Sequence, residues 1–217
     1  MAKKREYEQH YGQEYDAVIE EYIQISELVE YEGLSTEELT AIRMRLADLI
    51  TKAPDYLDTY LLLREVYTMA EMHTQADKVL ERAYKRALGL ILDEQGRWPD
   101  VMEWVFMDNR PIIRTLNEKA RALWYEGIDD PESWRKAFAI YENLLRTNPN
   151  DNIGTRYLLL AMLEKMTPPE FDDRFIVWNE LAGEVYNGKE NKWFDSKSKK
   201  HPELKLWLAH AKAQGWT

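Results

Sequence analysis

Apolar residues recur every three to four positions along most of the chain, a spacing that places them on one face of an α-helix. The first such segment runs from Glu14 to Tyr31 and carries Val18, Tyr22, Ile25 and Leu28. No segment shows the strict alternation of apolar and polar residues that is typical of a half-buried strand. The pattern therefore predicts an all-α protein.

Short turns separate the predicted helices. Ser35 followed by Glu38 forms a capping box that opens the second helix. Longer helices are expected over residues 55–71, 73–92, 111–127, 131–147, 153–166 and 171–186, with a short one at 101–107 and a last one at 201–214. The polar residues 187–200 are predicted to form a loop.

Matching positions of successive helical hairpins lie 34 residues apart, as Ile42 and Ala76 do, and Ala137 and Phe171. The clearest unit carries Leu116, Ala120, Leu123, Gly127, Ala137, Tyr141 and Pro149. A second unit carries Tyr60, Leu63, Tyr67, Ala76, Leu80 and Ala83. This pattern resembles the tetratricopeptide repeat. It departs from that repeat at Ile42 and Phe171, where a small residue is expected, and in a longer inner loop of the clearest unit.

The resemblance implies a single tetratricopeptide-like domain over residues 1–217, a right-handed α-solenoid of stacked antiparallel helical hairpins. The hairpins would occupy residues 14–54, 55–92, 109–149 and 150–187. Residues 93–108 would be an insertion, and residues 188–217 a polar loop with a C-terminal capping helix. Ala76 and Ala137 would lie buried between paired helices, since a small side chain lets helices approach closely. The alternative is another helical-hairpin array or an irregular bundle.

Composition narrows the classes of function. The net charge of −10 and pI near 5.0 argue against nucleic-acid binding, because phosphate recognition requires clustered Lys and Arg. The absence of cysteine excludes disulfides and thiolate metal ligands, and it fits a cytoplasmic protein. We expect no signal peptide and no membrane span, because the apolar runs are too short.

Local motifs do not favour catalysis. The four histidines are scattered without a metal-ligand spacing. Acidic pairs such as Asp129-Asp130 suit helix N-termini better than acid–base chemistry. We therefore predict no enzymatic activity, no metal and no cofactor.

One motif suggests a phosphate site: Gly183, four residues, then Gly188 and Lys189. A working phosphate-binding loop lies between a strand and a helix and carries Ser or Thr after the lysine. Here a helix is predicted before Gly183, Glu190 follows Lys189, and a loop is predicted beyond. We therefore interpret Gly188 as the C-terminal cap of a helix, with Lys189 near its negative end.

A polar and aromatic stripe follows one predicted helix at spacings of four and three. Its members are Arg110, Arg114, Asn117, Arg121 and Trp124, and Asn152 and Arg156 come early in the next hairpin. First helices line the peptide-binding groove of tetratricopeptide stacks, so the resemblance implies that these residues contact a protein or peptide partner. Arginine and asparagine suit a carboxylate or peptide backbone groups. The alternative is a solvated face whose arginines pair with nearby acids.

The sequence thus favours a non-catalytic scaffold that binds a protein or peptide. The alternative is a helical enzyme or small-ligand-binding protein whose site no local motif reveals. Charge is also uneven, because residues 1–40 are acidic and residues 188–205 are rich in lysine. These segments could join copies head to tail into a homo-oligomer; otherwise they are solvated surface.

ATP with magnesium should not bind to this chain, because Glu190 stands where a phosphate-binding loop needs a hydroxyl. Isothermal titration calorimetry checks the prediction. Tight binding that Lys189→Ala abolishes would contradict it.

Overall fold

The computed structural model describes residues 4–30, 33–179 and 183–215. Most of these residues lie in helices, so the prediction of a mainly α-helical protein is confirmed. The chain divides into two compact units. We call residues 7–99 and 105–119 the N-terminal unit, and residues 4–6, 100–104 and 120–215 the C-terminal unit.

The N-terminal unit contains four complete helices and the beginning of a fifth. They are α1 (Asp16–Val29), α2 (Thr36–Lys52), α3 (Asp58–Met69), α4 (His73–Ile91) and the part of α5 (Arg110–Glu126) up to Lys119. The capping box of α2 forms as predicted, with Ser35 Oγ accepting from Glu38 N at 3.2 Å. Each of α1, α2 and α3 packs against the helix that follows it, and Leu46, Val66 and Ala83 are buried.

Asn109 ties the start of the chain to the N-terminal unit. Its side chain is fully buried, accepts from Gln9 N at 2.8 Å and donates to Tyr7 O at 3.2 Å. Asp108 accepts from Tyr11 N at 3.0 Å. Asn and Asp are suited to this role because their short side chains bond readily to backbone groups.

The short helix predicted over residues 101–107 is wrong. Within the C-terminal unit, Val101 N and Met102 N donate to Arg5 O and Thr147 O, at 3.3 and 2.8 Å. Together with the bond from Trp104 N to Asn148 Oδ1 at 3.2 Å, they join this segment to residues distant in sequence, and Val101 forms a parallel bridge with Glu6. A three-residue 3-10 helix, Met107–Asn109, forms instead, immediately before α5.

The C-terminal unit contains the end of α5 and five further helices. They are α6 (Pro131–Thr147), α7 (Thr155–Leu163), α8 (Pro168–Phe175), α9 (Lys189–Lys197) and α10 (Lys205–Ala213). Between α8 and α9 lies an antiparallel hairpin of strands β1 (Ile176–Asn179) and β2 (Gly183–Tyr186). Helix α6 packs against α7 and α10, and α7 packs against α9.

The hairpin corrects the prediction of one helix over residues 171–186. Helix α8 ends at Phe175, where Asn187 N donates to Phe175 O at 2.8 Å and so caps the helix end. Ile176, Val177 and Trp178 follow, and β-branched and aromatic residues favour an extended backbone. The prediction that the chain contains no strand is therefore wrong here.

The predicted loop over residues 187–200 is also wrong, because α9 occupies most of it. Trp193 and Phe194 are buried on the inner face of α9, although lysines surround them in sequence. Gly188 precedes α9 with φ 83° and is its N-cap, not the C-cap of an earlier helix. Strand β2 begins at Gly183 itself and takes up three of the four middle residues of the motif, so only Asn187 and Gly188 lie between the strand and α9.

Aromatic rings form the core of the C-terminal unit. Phe171 is fully buried and lies 5.9 Å from Trp124, 5.1 Å from Phe175 and 6.2 Å from Tyr186 between ring centroids. The repeat pattern calls for a small residue at this position. A large ring fits because α8 is short and the hairpin and α9 pack around it.

Ala137 is fully buried on α6, as predicted, and Ala76 is buried on α4 of the other unit. Ala137→Leu should lower the free energy of unfolding by roughly 1–3 kcal/mol, because the added methylenes overpack a filled core. Chemical denaturation measures the change, with Ala139→Leu on the exposed face of the same helix as control. Equal stability of the two variants would contradict the buried register.

Candidate functional site

Three residues of the predicted stripe, Arg110, Arg114 and Asn117, lie in the N-terminal unit, and Arg110 and Arg114 contact other residues of the chain. Arg114 grips Asp58 with two guanidinium nitrogens, and its Nε lies 3.0 Å from Asp58 Oδ1. Asp58 is buried, and this burial raises its pKa while Arg114 opposes the rise. Asn117 is half-buried, and Arg110 makes contacts of its own.

The stripe residues of the C-terminal unit have different environments. Arg121 pairs with Asp172 at 2.6 Å, and the same carboxylate accepts from Tyr125 Oη at 2.5 Å. Trp124 is only 1% exposed and packs on Phe171, so it belongs to the core and not to an exposed stripe. Asn152 is exposed.

Arg156 is enclosed by its own unit. Its guanidinium lies 2.7 Å from Asp151 Oδ2 and stacks on the rings of Tyr157 and Trp207, with centroid distances of 4.0 and 5.2 Å. The Asp151 side chain is 1% exposed. Burial raises the pKa of Asp151, and Arg156 opposes that rise. Arg114, Arg121 and Arg156 thus each form an ion pair with a nearby acid, as the alternative interpretation expects. That they share a surface for a partner stays a prediction.

A wide groove opens elsewhere on the C-terminal unit, where the turn from α5 to α6 meets the turn from α7 to α8. We call it the methionine groove; its volume is about 770 Å³. Its apolar wall consists of Trp124, Ile128, Trp134, Met162, Met166 and Pro168. Arg135 and Lys165 are the charged residues among those described along it.

Gly127 brings the two helices beside this groove close together. A Cβ at this position would lie 2.8 Å from Trp134 Cα, so any other residue would push α5 and α6 apart. Trp134 is held from behind by Phe138, stacked at 5.2 Å. One aromatic wall of the methionine groove is therefore rigid.

The opposite wall ends in a strained turn. Lys165 has φ 59°, a left-handed conformation that costs a non-glycine residue about 1 kcal/mol. Lys165 N donates to Met162 O and Met166 N donates to Ala161 O, the pattern that closes a helix C-terminus. The turn aims Met166 and Lys165 at the groove they both line.

The same turn recurs in the N-terminal unit. Glu71 has φ 57°, and Met72 N donates to Tyr67 O at 2.8 Å after the end of α3. A methionine follows the left-handed residue in both units. Glu71 therefore provides a matched position for testing what Lys165 does beyond closing a helix.

A second groove lies between α6 and α10, with a volume of about 450 Å³. We call it the α6–α10 groove. Its apolar wall includes Leu145, Pro149, Leu159, Leu206 and Trp207, and its polar lining includes Glu142, Arg146, Glu203 and His210. Trp207 Nε1 donates to Pro149 O at 2.9 Å, which fixes the indole against the end of α6.

Neither groove was predicted from the sequence. Each involves helices that are not neighbours along the chain, and the sequence does not show which helices come together. The methionines at 162 and 166, next to the left-handed turn, were the available signal for the first groove.

Two kinds of site have no support in the described ranges. No group of three His, Cys, Asp or Glu residues there has the geometry to hold a metal ion. Among residues 4–30, 33–179 and 183–215, no helix combines the length and apolar character needed to cross a membrane.

Comparisons of the chain with protein-family models, curated proteins and solved structures found no match.

Arg156→Ala should lower the free energy of unfolding by roughly 3–5 kcal/mol, because it leaves Asp151 buried without a counter-charge. Arg156→Lys should cost less, since it keeps the charge but loses the planar guanidinium. Arg135→Ala, which breaks an exposed pair with Glu132, is the control and should cost about 1 kcal/mol or less.

Denaturant unfolding followed by tryptophan fluorescence compares the three variants. If Arg156→Ala proves as mild as Arg135→Ala, Arg156 is not a structural residue, and its role in a partner surface regains support.

Proposed function

We propose that the chain is a non-catalytic binding protein whose methionine groove holds a peptide segment of another protein. The observation that carries this proposal is the groove itself: apolar, open to solvent, and bordered by two cationic residues. Its volume of about 770 Å³ falls in the range typical of ligand sites.

The lining favours an apolar anchor from the partner. Methionine side chains are unbranched and polarisable, so the half-buried Met166 can adjust to side chains of different shape, while Met162 is buried with 1% exposure. Trp134 supplies a rigid surface beside them. Ile128 is 52% exposed at the rim, and covering it would add to the apolar area removed from water.

The charges at the rim favour an acidic residue beside that anchor. Lys165 is exposed and has no ion pair among the described residues. Arg135 pairs only with Glu132 on the surface of α6. The nearby Asp130 is already used, because it caps α6 by accepting from Glu132 N at 3.0 Å.

The polar groups of the groove do not suit catalysis. Thr167 Oγ1 donates to Glu170 Oε2 at 2.9 Å, within the capping box of α8. Neither a histidine nor a carboxylate is found among the described lining residues. General acid–base chemistry needs such a group within hydrogen-bond reach of the substrate.

The tetratricopeptide-like stack is part of this proposal. Its support is the recurrence of one turn, at Glu71 after α3 and at Lys165 after α7. We also propose a cytoplasmic location, which the absence of cysteine supports. Contact of the arginine stripe with the partner, and head-to-tail association, are further predictions that this groove does not require.

Selection from a displayed library of random peptides tests the proposal. The purified chain should enrich peptides that carry a large apolar residue next to Asp or Glu. Met166→Glu should abolish binding of the enriched peptides, because it places a charge on the apolar wall. Lys165→Gly should weaken it roughly threefold to tenfold, the size of one charge-assisted contact at a partly exposed site.

Glu71→Gly is the matched control, since it relaxes the equivalent left-handed turn without touching the groove. Both glycine variants should be at least as stable as the parent chain, because glycine removes the cost of the left-handed conformation, and only Lys165→Gly should lose affinity. Enriched peptides that bind Met166→Glu undiminished, or a failure to enrich any peptide, would refute the proposed function.

A further inference from the structure

The α6–α10 groove has the form of a docking site between two helices. Ala139, Glu142 and Arg146 lie at successive turns of α6, and Glu203, Leu206 and His210 are spaced in the same way along and before α10. Such rows at intervals of three and four residues form the walls into which a further peptide segment can pack.

Two carboxylates line this groove together with one arginine, Arg146. Glu142 and Glu203 both line it, and neither forms an ion pair or side-chain hydrogen bond with any described residue. Arg146, which also lines the groove, donates to Asn143 Oδ1 at 3.0 Å. The pKa of Glu142 is raised by partial burial and by the negative charge of Glu203. The groove is thus lined by two carboxylates that have no ion pair among the described residues, and by Arg146.

The apolar part of the groove suits the stem of a long side chain. Leu206 lines the groove and is 80% exposed, whereas Trp207 is only 7% exposed. Trp207 lies beside it, with its indole held by Pro149 O and its ring edge-on to Phe194 at 5.2 Å. Lysine and arginine bury their methylene stems along such surfaces and keep the charged end at polar groups.

We propose that the α6–α10 groove docks a basic peptide segment, with a lysine or arginine stem on Leu206 and Trp207 and its cationic end between Glu142 and Glu203. Charge complementarity selects this occupant, because a cation relieves the repulsion that the two carboxylates create. An acidic or neutral segment would leave that repulsion in place. The site is separate from the methionine groove, and its partner chemistry has the opposite charge.

The probe is the acetylated, amidated tripeptide Leu-Lys-Leu, compared with Leu-norleucine-Leu, which has the same stem without the charge. Nuclear magnetic resonance of the labelled chain follows the Trp207 indole N–H and the backbone amides of α6 and α10. The lysine peptide should shift these signals and bind roughly tenfold more tightly than the norleucine peptide, as a charge-assisted contact predicts.

The double variant Glu142→Gln/Glu203→Gln removes both charges and keeps the shape of the side chains. It should bind the two peptides equally weakly while its circular dichroism and melting temperature stay at or above those of the parent chain. Glu170→Gln, at the exposed capping box of α8, is the matched control and should leave peptide binding unchanged.

Three outcomes would overturn the proposal. The norleucine peptide could bind as tightly as the lysine peptide, the double variant could keep the preference for lysine, or the shifts could fall outside α6 and α10. Cadaverine provides a further arm: if this free diamine binds more tightly than the lysine peptide, the groove recognises a small amine and not a protein segment. None of these results bears on peptides held by the methionine groove.

Discussion

The buried ion pair between Asp151 and Arg156 organises the C-terminal unit. A carboxylate that is 1% exposed is unfavourable without a counter-charge, so the pair constrains every element that encloses it. Asp151 itself sits in a left-handed turn with φ 51°, closed by Asp151 N donating to Asn148 O and Gly154 N donating to Asp151 O. The connection between α6 and α7 is thereby fixed.

Contacts connect this ion pair to residues that line each of the two grooves. On one side, Arg156 lies over Trp207, and Trp207 donates to Pro149 O, so α10 is held against the end of α6. On the other side, Tyr157 contacts Tyr186 at 5.3 Å, and Tyr186 leads through Phe171 to Trp124 in the methionine groove. The Asp151–Arg156 pair and the row of aromatic rings thus connect the α6–α10 groove to the methionine groove.

The sequence predicted the helices wherever local signals and tertiary packing agreed. Ser35 with Glu38, and Asp130 before Pro131, mark helix starts that the structure contains. Prediction failed at the hairpin, because a four-residue strand is too short to show an alternating pattern. It failed at α9 because Trp193 and Phe194 are flanked by lysines, and only contact with the aromatic core makes that segment helical.

The candidate site was less predictable than the fold. Spacing placed Arg114 and Arg121 on one helix, but it could not show that Asp58 and Asp172, more than fifty positions away in sequence, would pair with them. Trp124 lies at the border between the stripe and the apolar face of α5. It is buried because the ring of Phe171 packs against it. The two grooves lie between helices that are separated in sequence, so their positions depend on tertiary packing.

Amide hydrogen exchange on Asp151→Asn tests most directly whether the ion pair organises the C-terminal unit. The substitution removes the charge and nearly preserves the shape, and Asp173→Asn at an exposed site of the same unit is the control. We expect the amides of α7, α9 and α10 and the Trp207 indole to lose protection together, as one cooperative unit. Loss of protection confined to the turn around residues 148–156, with α9 and α10 unchanged, would contradict the account.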